Sequence, residues 1–250
     1  MPADPTILEG ALSIQAALEA GFRDIHQILI DERKRSDRRI SWLRRKAQSA
    51  GASVSFVSRA TIEASASGKS HGGIIALVGE RRFRQLGELL PEAEPAFIVM
   101  LDGIEDPYNF AGVIRALYAA GADGVVMRPR NWTSATALVG RASAGAIERL
   151  PLAIAATAAE AAEFYRGHNL VVACTAKAEP AEPLYDVDLT APLFLLIGGE
   201  RRGVTRSFLR NADWHLRVPY GREFEPSLGT VGAASVIAFE VSRQRRCTRL

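Results

Sequence analysis

Short apolar runs bounded by turn residues alternate along this chain with stretches whose apolar positions recur every three or four residues. The first pattern predicts buried strands and the second amphipathic helices. In the first part of the chain, EGALSIQAAL (9–18) spaces its apolar residues like a helix, and DIHQILID (24–31) reads as a strand. SDRRISWLRRKAQSAG (36–51) reads as a helix capped by Ser36 and ended by Gly51, with ASVSFVS (52–58) as the next strand. A short helix follows from Arg59, and GGIIALVG (72–79) supplies a further strand. The pattern therefore predicts a small α/β domain over residues 1–80. Pro91 and Pro95 break any long helix in 81–95, which reads as a linker.

The rhythm restarts at Ala96. AFIVMLD (96–102) and GVVMR (124–128) are strand patterns with a helix from Phe110 to Ala120 between them. ATAAEAAEFYR (156–166) is a helix, while NLVVACTA (169–176) and PLFLLIGG (192–199) are strands. SFLRNA (207–212) predicts a short helix, WHLRVP (214–219) a strand, and GTVGAASVIAFEVSRQRR (229–246) a long terminal helix. Apolar strands alternating with helices imply a mostly parallel sheet covered on both faces, here over 96–250. Ligands of such sheets bind beyond the carboxyl ends of the strands. Three strand ends there are rich in turn residues: LDGIEDPYNF, LIGGERRG and VPYGREFEPSLG.

With 250 residues and 48% hydrophobic content, the chain can build a sizeable core. The N-terminus MPADPTILEG lacks the basic start and apolar run of a signal peptide, and no apolar stretch reaches membrane-spanning length. Cys174 and Cys247 fit no metal or redox spacing, and Cys174 lies in the apolar run VVACTA, where burial is expected. These features predict a cytoplasmic protein without a membrane partner. The net charge is only +3, but residues 1–85 carry fourteen Lys and Arg against nine Asp and Glu. The excess concentrates in DERKRSDRRISWLRRK (31–46), which contains Arg38, Arg39, Arg44 and Arg45. Such a segment attracts phosphate backbones, or else only solubilises the helix that carries Trp42 and Leu43.

Several chemistries are excluded by the motifs. The dinucleotide fingerprint is absent after the first strand of the second domain, which runs on as Asp102-Gly103-Ile104-Glu105-Asp106-Pro107. The phosphate-loop pattern and the G-x-S-x-G elbow do not occur. His26, His71, His168 and His215 have no zinc-ligand spacing, so no metal is expected. What remains is a glycine-rich region beside Asn109, Arg115, Glu200 and Ser227. Two adjacent glycines, Gly198-Gly199, at a strand end imply close approach of something to the backbone. Asn109 reads either as a site residue or as a helix N-cap. Arg115 stands in the apolar stretch FAGVIRALYAAG, where a charge needs either an ion-pair partner or an anionic ligand. Glu200 reads as a cap of the helix that starts near Thr205 or as a ligand contact.

Three ordered stretches resemble the SpoU–TrmH class of SPOUT RNA methyltransferases. They are LDGIEDPYNFAGVIRALYAAGADGVVM, LIGGERRGVT and VPYGREFEPSLGTVGAASVIAFEVSRQR. The likeness covers about residues 96 to 246. EGALSIQAALEAG and SHGGIIALV are similar to parts of that family's substrate-binding domain. The resemblance implies a parallel-sheet domain with a deep trefoil knot, preceded by a small N-terminal α/β domain. It implies S-adenosylmethionine as cofactor, with Gly198, Val218 and Leu228 lining its pocket. Arg115 and Glu200 would mark the methyl-transfer site, supported by Asn109. The implied reaction is methylation of a ribose 2′-hydroxyl in RNA, with ribosomal RNA favoured over transfer RNA.

One departure bears on turnover. The family's third motif continues Ser-Leu-Asn-Val-Ser, whereas this chain reads Ser227-Leu228-Gly229-Thr230-Val231, with Thr230 as a neighbouring polar substitute. A knotted RNA-binding or assembly protein without turnover is therefore the rival reading, and methylation of another position or substrate a third. The apolar stripe Val231, Val236, Ile237, Phe239 and Val241 of the terminal helix predicts a homodimer, the alternative being that it packs wholly on its own sheet.

Overall fold

The expected strands and helices are present in a computed structural model of the protein, which describes residues 6–92, 95–129, 135–177, 181–199, 201 and 203–247. The chain divides into two compact units, Met1–Arg82 with Asn131–Arg149, and Phe83–Arg130 with Leu150–Leu250. The first includes a stretch to which the apolar pattern assigns no element.

In the first unit, β1 (Thr6–Glu9), β2 (Ile25–Asp31), β3 (Ser53–Val57) and β4 (Ile74–Val78) form a sheet in the order β1-β4-β2-β3. β4 is antiparallel to both neighbours, and β3 pairs parallel to β2 at the edge. The segment 9–18 is not all helix: its first residue ends β1, and α1 spans Ala11–Ala20. The next helix, α2, spans Arg38–Ser49. Its cap is Asp37, whose carboxylate accepts from the Arg39 N–H at 2.9 Å, rather than Ser36. A short α3 (Arg59–Ser65) follows, and α5 (Thr136–Ala142) and α6 (Ala146–Arg149) complete the unit.

The unit is held by apolar packing and by two carboxylates withdrawn from water. Leu8, Ile14, Ile28, Ile30, Ile40, Leu43 and Ile74 form one buried cluster. Glu148 on α6, with 1% of its side chain exposed, accepts from Arg23 at 2.9 Å and from Arg81 at 3.3 Å. Burial pulls the Arg81 guanidinium down to about 10, and the nearby Glu148 carboxylate opposes that shift. Glu9 is fully buried, pairs with Arg141 on α5, and accepts from the Ser67 N–H and hydroxyl. Removal of one partner from such a set leaves a charge without compensation.

The second unit carries β5 (Phe97–Asp102), α4 (Pro107–Ala120), β6 (Gly124–Met127), β7 (Leu152–Ile154), α7 (Ala158–Gly167), β8 (Val171–Thr175), β9 (Glu182–Pro183), β10 (Leu193–Gly198), α8 (Arg206–Asn211), β11 (Trp214–Arg217) and α9 (Thr230–Cys247). The strands form one sheet in the order β7-β6-β5-β10-β8-β11-β9, with every pair parallel. β5 and β10 are buried on both faces, as their unbroken apolar runs predict. On one face, Tyr165 of α7 stacks on Phe194 at 5.0 Å between ring centroids and donates to the Leu86 carbonyl at 3.0 Å. Cys174 is fully buried there, and burial pushes its thiol up to about 12.

Helices α4 and α9 pack together at Gly112, where a Cβ would lie 3.0 Å from a methyl of Val231. At the far end of α9, Arg245 donates to the carbonyls of Pro95, Ala96, Leu189 and Ala191, and so fastens the helix to the chain entering β5 and β10. Arg243 is paired with Glu240 at 2.7 Å. Two arginines of the terminal helix are thus engaged within the fold. No helix among the described residues is long and apolar enough to cross a membrane.

Replacement Glu148→Gln is expected to cost about 3 kcal/mol of stability, since it leaves two guanidiniums buried without their carboxylate. Glu63→Gln, which breaks an exposed pair with Arg59, should leave stability nearly unchanged. Urea denaturation followed by circular dichroism reads both, and equal midpoints for the two variants would refute the assignment.

Candidate functional site

The carboxyl ends of β5 and β10 lie side by side, with Asp102 paired to Gly198. The chain leaves both strands through glycine because two backbones meet there. The Gly199 N–H donates to the Asp102 carbonyl at 2.8 Å, and the Gly203 N–H to the Gly199 carbonyl at 2.8 Å. A Cβ on Gly198 would sit 2.5 Å from the Gly203 carbonyl carbon, and one on Gly199 would overlap the Gly103 carbonyl. Gly103 itself adopts φ +81°, a left-handed conformation suited to glycine. What presses on Gly198 and Gly199 is therefore the chain's own main chain.

Beyond this crossing lies a pocket of about 180 Å³ lined by Gly103, Ile104, Glu105, Asp106, Asn109, Arg201 and Thr230. All three motif stretches contribute to it. Asn109 is not the N-cap of α4. Asp106 takes that place, its carboxylate accepting from the Asn109 N–H at 2.7 Å, with Pro107 as the first helical residue. Asn109 is thereby set in the first turn, on the pocket wall. Thr230 opens α9 at 5% exposure and reaches the same pocket, beside the position where Gly229 lacks a side chain. Arg201 pairs with Glu105 at 3.5 Å across the mouth. Ile104, Glu105 and Arg201 carry no signal of their own in the sequence, although all three lie inside the motif stretches.

Arg115 does not line this pocket. It lies about 120° around the helix axis from Asn109 at 3.6 residues per turn. The buried face of α4 is Phe110, Ala111, Val113, Ile114 and Leu117, and Arg115 falls outside it, exposed. Its guanidinium forms no hydrogen bond or ion pair with any described residue. A buried ion pair, one of the two readings of Arg115, is absent among the described residues because only one face of the apolar stretch is buried. Val218 is half-buried just after β11, and Leu228 is 39% exposed, its N–H donating to the Tyr220 hydroxyl at 2.7 Å. Glu200 lies outside the described residues. The segment 221–229 is exposed throughout, and Tyr220, Phe224 and Leu228 show apolar surface there. No group of three or more His, Cys, Asp or Glu among the described residues is placed to hold a metal ion.

Residues 96–239 match the family described as SpoU rRNA Methylase, and residues 7–84 match the family described as RNA 2′-O ribose methyltransferase substrate binding. The 23S rRNA (guanosine-2′-O-)-methyltransferase RlmB of Haemophilus influenzae is 32% identical over 84% of this chain and 87% of its own. The protein of the same name from Shewanella oneidensis is 31% identical over 96% of this chain and 98% of its own. A crystal structure of an RNA 2′-O ribose methyltransferase superposes with a TM-score of 0.77 at 26% identity, covering 96% of this chain and 88% of that one. The SpoU methyltransferase AviRb from Streptomyces viridochromogenes, solved in complex with AdoMet, shares the fold with a TM-score of 0.76 at 22% identity, covering 96% and 90% of the two chains.

Gly199→Ala is expected to lower the melting temperature by several degrees, because backbone must shift to admit the methyl group, at a cost of about 2 kcal/mol or more. Gly221→Ala, whose Cβ meets nothing within 4 Å, should leave it unchanged. Scanning calorimetry distinguishes the two, and an unaltered Gly199→Ala transition would contradict the backbone crossing.

Proposed function

Since the chain belongs to the SpoU rRNA methylase family, we propose that it transfers a methyl group from S-adenosylmethionine to a ribose 2′-hydroxyl of ribosomal RNA. The observation that carries this reading is the pair of family matches, a methylase over 96–239 and a substrate-binding family over 7–84. Relatives named for the guanosine 2′-O position of 23S ribosomal RNA favour ribosomal over transfer RNA. Residues 1–80 take the substrate, 81–95 link, and 96–250 carry the chemistry. The phosphate-binding side chains are Arg38, Arg39, Arg44 and Arg45. The work is that of a cytoplasmic enzyme.

The site suits the cofactor. After the carboxyl end of β11, residues 220–229 are exposed and present Tyr220, Phe224 and Leu228, apolar surface on which an adenosine would pack. Gly198, Val218 and Leu228 would hold it, and when bound it supplies a methyl carbon on a sulfonium leaving group. The chain between β10 and α9 then takes the trefoil knot of the family, a reading supported by the close passage of Gly199 against Gly103. The residues here have to align an oxygen with that methyl carbon and accept its proton; alignment supplies much of the acceleration. Asn109 and Glu200 orient the ribose. Thr230 offers its hydroxyl where the family has a polar side chain and this chain has Gly229. Arg115, whose planar guanidinium offers donors and no acceptor, clamps an RNA phosphate and steadies developing charge on the oxygen rather than acting as base.

Arg115 and Asn109 face different sides of α4, so one copy does not bring them to one ribose. A two-fold homodimer does, with Arg115 of one protomer completing the other's pocket. Tyr108 at 63% and Phe239 at 49% exposure lie on the helices that would meet. The terminal stripe is consistent with this, since Ile237 and Val241 are buried while Phe239 is exposed.

Incubation with methyl-tritiated cofactor and ribosomal RNA, followed by digestion to nucleosides, is expected to place the label in a 2′-O-methylguanosine. Cofactor binding without transfer would favour the rival, an RNA-binding or assembly protein without turnover, to which Gly229 points. Arg115→Ala should abolish transfer and leave cofactor affinity unchanged by calorimetry. Mixing Arg115→Ala with Asn109→Ala protein should restore roughly a quarter of wild-type activity, because half of the dimers are mixed and each of those keeps one intact site. A mixture as inactive as its parts would place both residues in one protomer's site.

A further inference from the structure

The basic segment 31–46 is not uniform in the folded protein. Arg33 donates to Asp31 at 2.9 Å, and that guanidinium holds the Asp31 carboxyl down at about 2. Asp37 is occupied in capping α2. Arg35, Arg38, Arg39, Arg44 and Arg45 lie on the outside of the unit, and none forms an ion pair with a described residue. Asp31 is matched by Arg33, and the five exposed arginines outnumber the remaining carboxylates of the segment, Glu32 and Asp37.

Two of the five converge on an aromatic ring. Arg35, in the turn before α2, lies over the Phe56 ring at 4.7 Å from its centroid, and Arg44, on α2, at 5.7 Å. Phe56 sits on β3, the edge strand, half-buried against the apolar cluster of the unit. A guanidinium over a ring is attracted by the negative π face, which orders a long side chain that would otherwise move freely. The result is a pair of exposed guanidiniums over one ring at a sheet edge, with no described carboxylate paired with them.

We propose that Arg35, Phe56 and Arg44 form a base-stacking platform for an unpaired nucleotide of the RNA substrate, a role that rests on the RNA methyltransferase reading above. A base in a duplex is already stacked on both faces, so it presents only its edges to a protein. A base splayed from a loop or bulge presents its face, which matches the outer plane of a guanidinium or the ring beneath it. The adjoining Arg38, Arg39 and Arg45 supply charge for the flanking phosphates. Phosphate contacts alone tolerate a lysine in place of arginine, whereas stacking requires the planar group. The platform therefore selects single-stranded over double-stranded RNA, and the charge around it does not.

The test uses the full-length protein and fluorescence anisotropy with a fluorescein-labelled unstructured oligoribonucleotide and a hairpin duplex of equal length. The double variant Arg35→Lys/Arg44→Lys keeps the charge, and Phe56→Leu keeps an apolar side chain with the fold checked by circular dichroism. Each is expected to weaken binding of the single strand roughly tenfold and to leave duplex binding and the salt dependence unchanged. The Arg35→Gln/Arg44→Gln variant should also flatten the salt slope, by about 0.7 for each phosphate it no longer neutralises. Equal weakening on both RNAs, or wild-type affinity of the lysine variant for the single strand, would overturn the platform while leaving the methyltransferase reading in place. Failure of the wild-type protein to bind either RNA would overturn both.

Discussion

The site depends on a contact between two stretches of main chain. Where β5 and β10 end together, Gly199 lies against the Gly103 carbonyl and Gly198 against Gly203, so that no side chain separates the crossing strands. The constraint is steric, and glycine at those places is its consequence. The pocket beyond inherits its shape from this crossing, for Gly103 forms part of its wall and the loop that follows delivers Asp106, Asn109 and the start of α4. The buried sheet below, with neighbours parallel throughout, fixes where each strand end emerges. Arg245 ties the opposite end of α9 to the starts of β5 and β10 through four carbonyls, so the helix that contributes Thr230 is fixed at its far end too.

Much of the fold is legible because its strands are buried on both faces. Runs such as AFIVMLD and PLFLLIGG stand out without periodicity, and the helices between them end at glycines or begin at capping residues. The elements that escape notice are short. β7 and β9 span three and two residues, too few for a pattern, and β1 ends one residue before a helix whose periodicity masks it. The segment 135–149 belongs with the first unit through Glu148 and Arg141, which pair with Arg23, Arg81 and Glu9. Such long-range ion pairs leave no local trace in a sequence.

The site is legible in its motifs and less so in its geometry. The Asp-Pro pair at 106–107 signals the start of α4 and assigns the cap to Asp106 rather than Asn109. Arg115 looks embedded because its neighbours in sequence are apolar, yet helical spacing turns it away from the buried face. Gly198 and Gly199 look like a ligand cradle, and in the fold their missing Cβ atoms admit the chain's own backbone. In the basic segment, composition suggests partial neutralisation by Asp31, Glu32 and Asp37, whereas folding pairs Asp31 with Arg33 and leaves five arginines outward against Glu32 and Asp37.

A crossing of backbones that builds a pocket, a helix that presents Asn109 and Arg115 to different sides, and a basic unit proposed to receive the RNA form one account of a ribosomal RNA ribose methyltransferase. It is tested most directly in the cell. Mass-spectrometric mapping of ribose methylation in 23S ribosomal RNA from cells with and without this gene should show one 2′-O-methylguanosine that disappears on deletion and returns with the wild-type gene. An identical methylation map in the two strains would contradict it.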